Sequence, residues 1–392
     1  MTPAARLQTA IELLDDIISA ARNQGAPADR IIAEWFRTHR FAGSKDRRAI
    51  RDLVYDAIRC CGPVPASGRA AALRLAEGDP AIRNLFDGSN YGPSPVGERE
   101  QPAAGGVAPD WIMGMLDQSD IHGEEAQALL DRAPLDIRVN SLKAQRDSAD
   151  LPIAGTPLPS LQGLRLPQGT KVEQWPAYRD GLVEVQDLGS QLACEASAAQ
   201  PGETVVDLCA GAGGKTLALA AMMQNSGTLL AADTDRGRLG RLAPRAERAG
   251  ALVSDTLLLN PGKEMEALAD VAGQADMVFV DAPCSGTGTW RRKPEARWRI
   301  TPDQLQRYAD LQNHVLEIGA RLVKPGGRLI YVTCSVLDEE GASQIDRFLK
   351  HNPDWSAQPV VCPLGQPRGA GVRLTPHHDG TDGFFIACIG KR

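Results

Sequence analysis

The second half of this 392-residue chain predicts an α/β domain built on a mostly parallel sheet. Three observations carry that reading. Short apolar runs alternate with amphipathic stretches from about residue 182 onward; the first run, Thr204-Val-Val-Asp-Leu208, opens into a glycine-rich turn; and the later runs end beside an acid or a thiol. Repeated strand–helix units fold into a parallel sheet with right-handed crossovers. An open sheet of this kind receives ligands outside the carboxyl ends of its strands, so those ends are where chemistry is expected.

The amino-terminal part reads as a small helical bundle. Leu7, Ile11, Leu14, Ile17 and Ile18 recur at helical spacing, Ile31, Ile32, Trp35 and Phe36 continue the pattern after a Gly-Ala-Pro break, and a third helix runs from about Ser44 to Cys60. Between and along them Arg37, Arg40, Lys45, Arg47, Arg48 and Arg51 face only Asp46 and Asp52, a charge balance suited to phosphate groups or to a solvated face. Residues 62–107 are rich in Gly, Pro, Ser and Ala and read as a mobile linker. A small α+β module begins at Pro109-Asp-Trp111 and includes the strand Asp136-Ile-Arg-Val-Asn140. The expected division is therefore 1–90, 107–181 and 182–392.

In the carboxy-terminal domain Thr228–Ala232 leads to Asp233, Ala251–Ser254 to Asp255, Met277–Val280 to Asp281, and Arg328–Thr333 to Cys334. The turn Asp207-Leu-Cys-Ala-Gly-Ala-Gly-Gly-Lys-Thr216 is not a Walker phosphate loop, because Cys209 occupies the position of its first glycine. Nor is it a G-x-G-x-x-G dinucleotide turn, since Thr216 replaces the last glycine. A glycine turn with Asp233 about 20 residues on suits a nucleoside whose ribose hydroxyls bind an acid, and Asp255 is expected at the adenine amino group. S-adenosylmethionine fits this set better than NAD or ATP. The expected cofactor residues are Cys209, Ala210, Gly211, Ala212, Gly213, Gly214, Lys215, Asp233, Asp255 and Asp281, with the helix amino terminus beyond Gly214 facing the methionine carboxylate.

Asp281-Ala-Pro-Cys284 and Val332-Thr-Cys334-Ser335 bring two thiols to one rim if their strands share a sheet. A lone cysteine is usually packing, but two beside a strand-end carboxylate suit nucleophilic chemistry, with Lys215 placed to favour a thiolate. Spacing does not say which thiol attacks. Cys60, Cys61, Cys194, Cys362 and Cys388 lack such surroundings and read as structural, and Cys209 reads as chosen for size. Without a Cys-x-x-Cys pair, neither a zinc site nor a disulfide framework is expected.

The hydrophobic fraction of 43% and charged fraction of 23% are those of an ordinary globular protein, and a net charge of −6 excludes coating nucleic acid by bulk charge. The first 29 residues carry acids within their apolar pattern, so neither a signal peptide nor a membrane span is expected there. A cytoplasmic, metal-free monomer is the expectation.

The segments DLCAGAGGKT (207–216), AADTD (231–235), DAPCSGTG (281–288) and YVTCS (331–335) together resemble the RsmB/Sun family of RNA cytosine-5 methyltransferases, over about residues 181–392. The resemblance implies a Rossmann-like S-adenosylmethionine-dependent core, Cys334 as nucleophile on carbon 6 of cytosine, Cys284 as the thiol that aids release, and Asp281 at the N3 edge, with Lys215 beside them. It also implies RNA contact by the segment holding Arg138 and Asn140, and a NusB-like RNA-binding domain at the amino terminus. Two departures stand out: Ala212 occupies a position where the family usually has proline, implying a freer turn, and the bundle is shorter than a full NusB-like domain. The expected substrate is small-subunit rRNA; a tRNA substrate or a non-catalytic ribosome-assembly role are the alternatives. An Asn-Pro-Pro-Tyr motif would have favoured adenine or amide chemistry, and Asp281-Ala-Pro-Cys284 stands in its place.

The Pro-Cys loop runs directly into Trp290-Arg-Arg-Lys-Pro-Glu-Ala-Arg-Trp-Arg299. Its cations and indoles read as a stacking and phosphate-tracking path for single-stranded RNA, giving Arg291, Arg292, Lys293 and Arg297 as substrate contacts. A target cytosine must then be unpaired or flipped out to reach a sheet rim.

Overall fold

The computed structural model describes residues 1–392, which divide into two units: 1–131 with 289–301, and 132–288 with 302–392. In the first unit, α1 (Pro3–Arg22) starts where Thr2 caps the Ala5 N–H and proline occupies the first helical position. Its apolar stripe, Leu7, Ile11, Leu14, Ile17 and Ile18, is buried as its spacing predicts. Helices α2 (Ala28–Thr38) and α3 (Ser44–Cys60) pack Ile32, Phe36, Ile50, Val54 and Ile58 into the same core.

The expected linker is ordered instead. Residues Gly68–Gly78 form α4, capped by Ser67, and bury Ala71, Ala72, Leu73 and Ala76. Alanine is the strongest helix former, and its small side chain lets helices approach closely, so the composition that resembles a linker builds a tight helix packing. Gly68 is needed for that approach: a Cβ there would overlap the Ile11 carbonyl of α1. A short α5 (Pro80–Arg83) follows, and the stretch to Val107 is tied back by Ala103 N–H to the Ala70 carbonyl and by an Arg69–Glu100 ion pair of 2.6 Å. Helices α6 (Asp110–Gln118) and α7 (Gly123–Ala128) also belong to this unit, so the expected 107–181 module is divided rather than compact.

The segment 289–301 belongs to the first unit and corrects the RNA-path reading. Arg297 is fully buried, and its Nη2 donates to the carbonyls of Ile58 and Cys61 at 2.6 and 2.7 Å, where α3 ends. Glu295 accepts from Ala28 N–H at the start of α2. A cation at a helix carboxyl end and an anion at an amino end match the helix dipole. Trp298 donates to the Gly62 carbonyl, and Arg291 and Trp290 are also buried. A run of cations and indoles looks the same in sequence whether it anchors a bundle or faces solvent; only Arg292 and Lys293 of the expected set are exposed.

In the second unit a small antiparallel sheet comprises β1 (Leu135–Val139), β2 (Thr156–Pro157), β3 (Gly163–Leu166) and β4 (Val183–Val185) in the order β2-β3-β1-β4, with α8 (Pro176–Arg179) preceding β4. It extends past residue 181 because Val183 and Val185 pair with Val139 and Ile137. After α9 (Leu188–Ala196), the main sheet takes β5 (Thr204–Asp207), β6 (Thr228–Asp233), β7 (Asp255–Leu258), β8 (Ala275–Asp281) and β9 (Val323–Thr333) as parallel neighbours in the order β7-β6-β5-β8-β9. Antiparallel strands complete it: β10 (Trp355–Gln358), β11 (Gln366–Arg368), β12 (Gly371–Leu374) and β13 (Phe384–Lys391), the last paired with β9.

Both faces are covered, so the central strands are apolar on both sides. Met277 and Phe279 face α9, α10 (Gly214–Met222), α11 (Arg236–Leu239) and α12 (Leu242–Ala249). Val278 and Val280 face α13 (Glu264–Ala267), α14 (Pro302–Leu322) and α15 (Ala342–His351), while α16 (Pro376–Asp379) precedes β13. Burial of a side chain such as Phe279 contributes about 2 kcal/mol. No helix is long and apolar enough to cross a membrane.

The anchoring of 289–301 is testable by denaturant unfolding. Arg297→Ala strands two buried carbonyls and is expected to cost about 2–4 kcal/mol, against about 0.5 kcal/mol or less for Lys293→Ala. Equal, small effects at both positions would contradict the anchor.

Candidate active site

The chain passes from β5 through β6 and β7 and then returns to the other side of β5 as β8, so the order reverses beside β5. Such a reversal opens a crevice at the carboxyl ends. The turn after β5 enters it with Gly211 at φ +56° and Gly213 at φ +85°, backbone angles that favour glycine, and with Gly213 opening α10. A side chain at Gly211 would also collide with the Arg238 guanidinium. Ala212 does not leave the turn free: its carbonyl accepts from Arg245 at 2.7 Å, and Arg245 is held by Glu184 at 2.8 Å.

A cavity of about 400 Å³ lies at these strand ends, within the size range of small-molecule sites. Cys209, Asp233 and Asp281 of the expected cofactor set line it, with apolar walls from Leu208, Leu259 and Ile318. Ala210, Gly211, Ala212, Gly213, Gly214 and Lys215 do not line this cavity; they build the turn. Asp233 accepts one backbone N–H on each oxygen, from Asp235 and Gly211, both at 2.7 Å, which fixes the carboxylate and leaves acceptor capacity on both oxygens.

Asp255 is a correction. It begins β7 rather than ending the preceding run, pairs with Leu230, is exposed, and caps Thr256 N–H with its own side chain. Two apolar runs flank it, and the second, Leu257–Leu259, supplies the strand end because Leu258 aligns with Asp233. The acid found at that end of the cavity is Glu264. It is buried, accepts from Gly262 N–H at 2.9 Å and contacts His314 Nε2 at 3.0 Å. Burial raises its pKa, but the backbone N–H groups and His314 outweigh that and hold it below the usual carboxylate range. Nothing in the local sequence marks Glu264; a loop and a helix remote in the chain bring it there.

Asp207 is fully buried. Burial pushes its pKa up to about 7, with the Asp281 charge adding and the Thr216 hydroxyl, 2.6 Å away, opposing. Lys215 Nζ bonds Asp281 Oδ2 at 2.7 Å. Burial disfavours the Lys215 cation, yet the facing Asp281 carboxylate more than offsets this and raises its pKa, so the ammonium persists. Asp281 Oδ1 has no protein partner.

The two thiols meet: Cys284 Sγ and Cys334 Sγ are 3.4 Å apart at the rim of the same cavity. The hydrogen bond to Cys334, then burial, then the charges of Cys334 and Glu340 push the Cys284 thiol well above its ordinary range, so Cys284 stays protonated beside Cys334. Their loops are tied together by Thr287 Oγ1 and Ser335 Oγ at 2.9 Å and by Gly288 N–H to the Cys334 carbonyl at 3.0 Å. Burial also pushes up the thiols of Cys209, Cys61 and Cys194, the last two to about 12, and those of Cys60, Cys362 and Cys388. None of these is poised to react.

Arg138 and Asn140 lie in the interior, not on an RNA-facing surface. Arg138 Nε donates to Gln186 at 2.7 Å, and Asn140 Nδ2 donates to the carbonyls of Gly181 and Ala249. A larger cavity, about 830 Å³, lies in the first unit against Asp56, Arg74 and Cys60. It holds one raised thiol and no strand-end acid, so the smaller cavity, where acids and paired thiols converge, is the site.

Comparison with known proteins gives the family. The family described as 16S rRNA methyltransferase RsmB/F matches residues 195–390. A probable ribosomal RNA small subunit methyltransferase B from Synechocystis sp. is 36% identical over 302 residues, covering 72% of this chain and 66% of that protein. The chain thus matches just under two thirds of that relative's length. Among solved structures, PH0851 aligns over 100% of this chain and 99% of its own, with a TM-score of 0.74 and 26% identity. A methyltransferase homolog protein from Pyrococcus horikoshii aligns over 72% of this chain and 99% of its own, with a TM-score of 0.60 and 28% identity. The chain belongs to the 16S rRNA methyltransferase RsmB/F family.

Proposed function

We propose that this protein forms 5-methylcytosine in RNA, with small-subunit rRNA as substrate, through a covalent bond between Cys334 and carbon 6 of an unpaired cytosine. The observation that carries the proposal is the pair of thiols 3.4 Å apart on the rim of an acid-lined cavity. The cavity's fixed Asp233 carboxylate suits ribose hydroxyls, its apolar walls suit a purine, and Glu264 suits an exocyclic amino group. S-adenosylmethionine, when bound, supplies an electrophilic methyl group.

Carbon 5 of cytosine is too weak a nucleophile unaided. Cys334 adds to carbon 6 as its proton passes to N3 by way of Asp281 Oδ1, and the ring becomes an enamine that forms its new bond from carbon 5. Loss of the carbon 5 proton to a base then restores the ring double bond, N3 returns its proton, and Cys334 departs as a thiolate. Cys284, a protonated neighbour, donates to the departing sulfur. Protonated Lys215 orients Asp281, to which it bonds at 2.7 Å. Arg292, Lys293, Arg40, Lys45 and Arg48, all exposed, provide phosphate contacts.

Cys334→Ala is expected to lower methylation on the order of 10³-fold or more, and Cys284→Ala to accumulate protein covalently joined to RNA on denaturing gels. Trapping by Cys334→Ala instead would reverse the roles. Titration calorimetry with S-adenosylmethionine tests the cavity: Asp233→Ala is expected to weaken binding about 10–100-fold, and Asp255→Ala to leave it unchanged. Comparable losses at both positions would contradict the assignment of the base-facing end to Glu264.

A further inference from the structure

We propose that Glu340 is a positioning residue which, together with Gln312, clamps the Pro283-Cys284-Ser285 loop so that Cys284 is placed to end the covalent stage of the reaction. Glu340 lies in the short turn before α15 and is fully buried. Its Oε1 accepts from Ser285 N–H at 2.8 Å and from Gln312 Nε2 at 3.1 Å, and its Oε2 accepts from the Ser285 hydroxyl. Gln312, on α14 and also fully buried, donates from the same Nε2 to the Pro283 carbonyl at 2.9 Å. The residues on both sides of Cys284 are thus gripped from below. The clamp is itself held: Tyr331 Oη donates to the Glu340 carbonyl at 2.8 Å, and Gln344 donates to Gln312 Oε1 at 3.3 Å.

A buried carboxylate without a cationic partner is costly, and Glu340 makes no ion pair. Its side-chain hydrogen bonds all go to the Pro-Cys loop or to the glutamine that holds that loop. Packing alone would be served at lower cost by an apolar residue of similar size. The carboxylate also lies close enough to Cys284 to disfavour its thiolate, which keeps a proton available there. A loop without these anchors would let the thiol drift from Cys334, and a displacement of about 1 Å is enough to slow a step about 100-fold.

This inference rests on the reading of Cys284 as the thiol that ends the adduct, so the test runs Cys284→Ala in parallel. Full-length Glu340→Gln keeps the side-chain shape but has one acceptor oxygen where the carboxylate has two. It is expected to melt near wild type, keep the wild-type KM for S-adenosylmethionine, turn over about 10–100-fold more slowly, and accumulate covalent RNA adduct as Cys284→Ala does. Gln312→Ala, which removes the Pro283 arm and one donor to Glu340 but leaves both Glu340–Ser285 contacts, is expected to accumulate adduct to a smaller degree, and it carries the test should Glu340→Gln fail to fold. A folded Glu340→Gln that turns over like wild type, or that slows without adduct while Cys284→Ala traps RNA, overturns the inference. Failure of Cys284→Ala itself to trap RNA overturns the role of Cys284 and the inference with it.

Discussion

The register between β8 and β9 is the constraint on which the site depends. Asp281 pairs with Val332, so strands whose ends lie some 50 residues apart in sequence finish at the same level, and the loops that follow place Cys284 and Cys334 side by side. Both strands are buried on both faces. A slip of one residue would exchange Met277 and Phe279 with Val278 and Val280 between the two cores, which strongly disfavours it. The link continues past the strands: Ala282 N–H bonds the Val332 carbonyl, and Gly383 N–H bonds the Gly288 carbonyl at a spacing that no Cβ on Gly288 would allow. Packing energy on the two faces of the sheet therefore sets a sulfur–sulfur distance at its edge.

Charge at that edge is unbalanced by design of the strand ends. Asp207, Asp233, Asp281, Glu264 and Glu340 gather around the crevice, where Lys215 pairs with Asp281 and Arg238 lines the cavity. Each acid is accommodated differently. Asp207 is driven toward neutrality by burial, Asp233 and Glu264 are held by backbone N–H groups, Asp281 takes the lysine, and Glu340 takes a loop and a glutamine. The Asp281–Lys215 pair thereby leaves one Asp281 oxygen open at the cavity wall while keeping a positive charge near the thiols.

What the sequence revealed follows the locality of each signal. The glycine turn, Asp233, Asp281 and the two thiols each belong to a strand and the few residues after it, so they were legible, as were α1 to α3 from their apolar spacing. Asp255 misled because two apolar runs flank it and only pairing with β6 decides which is the strand. Arg291, Arg297, Trp290 and Trp298 misled because anchoring a bundle and binding RNA call for the same residue types. Ala-rich α4 was hidden by a composition shared with linkers. Glu264, His314, Gln312 and Glu340 could not be found at all, since their roles arise where remote helices and turns converge on the sheet edge.

Cys334, and not its neighbour 3.4 Å away, is the sulfur assigned here to the bond with cytosine. RNA transcribed with 5-fluorocytidine tests this assignment directly, because fluorine at carbon 5 blocks the final loss of a proton and preserves the adduct. After incubation of the wild-type protein with this RNA and S-adenosylmethionine, nuclease and protease digestion followed by mass spectrometry should place the nucleotide on the peptide containing Cys334. A nucleotide on the Cys284 peptide, or none on either, would contradict the account.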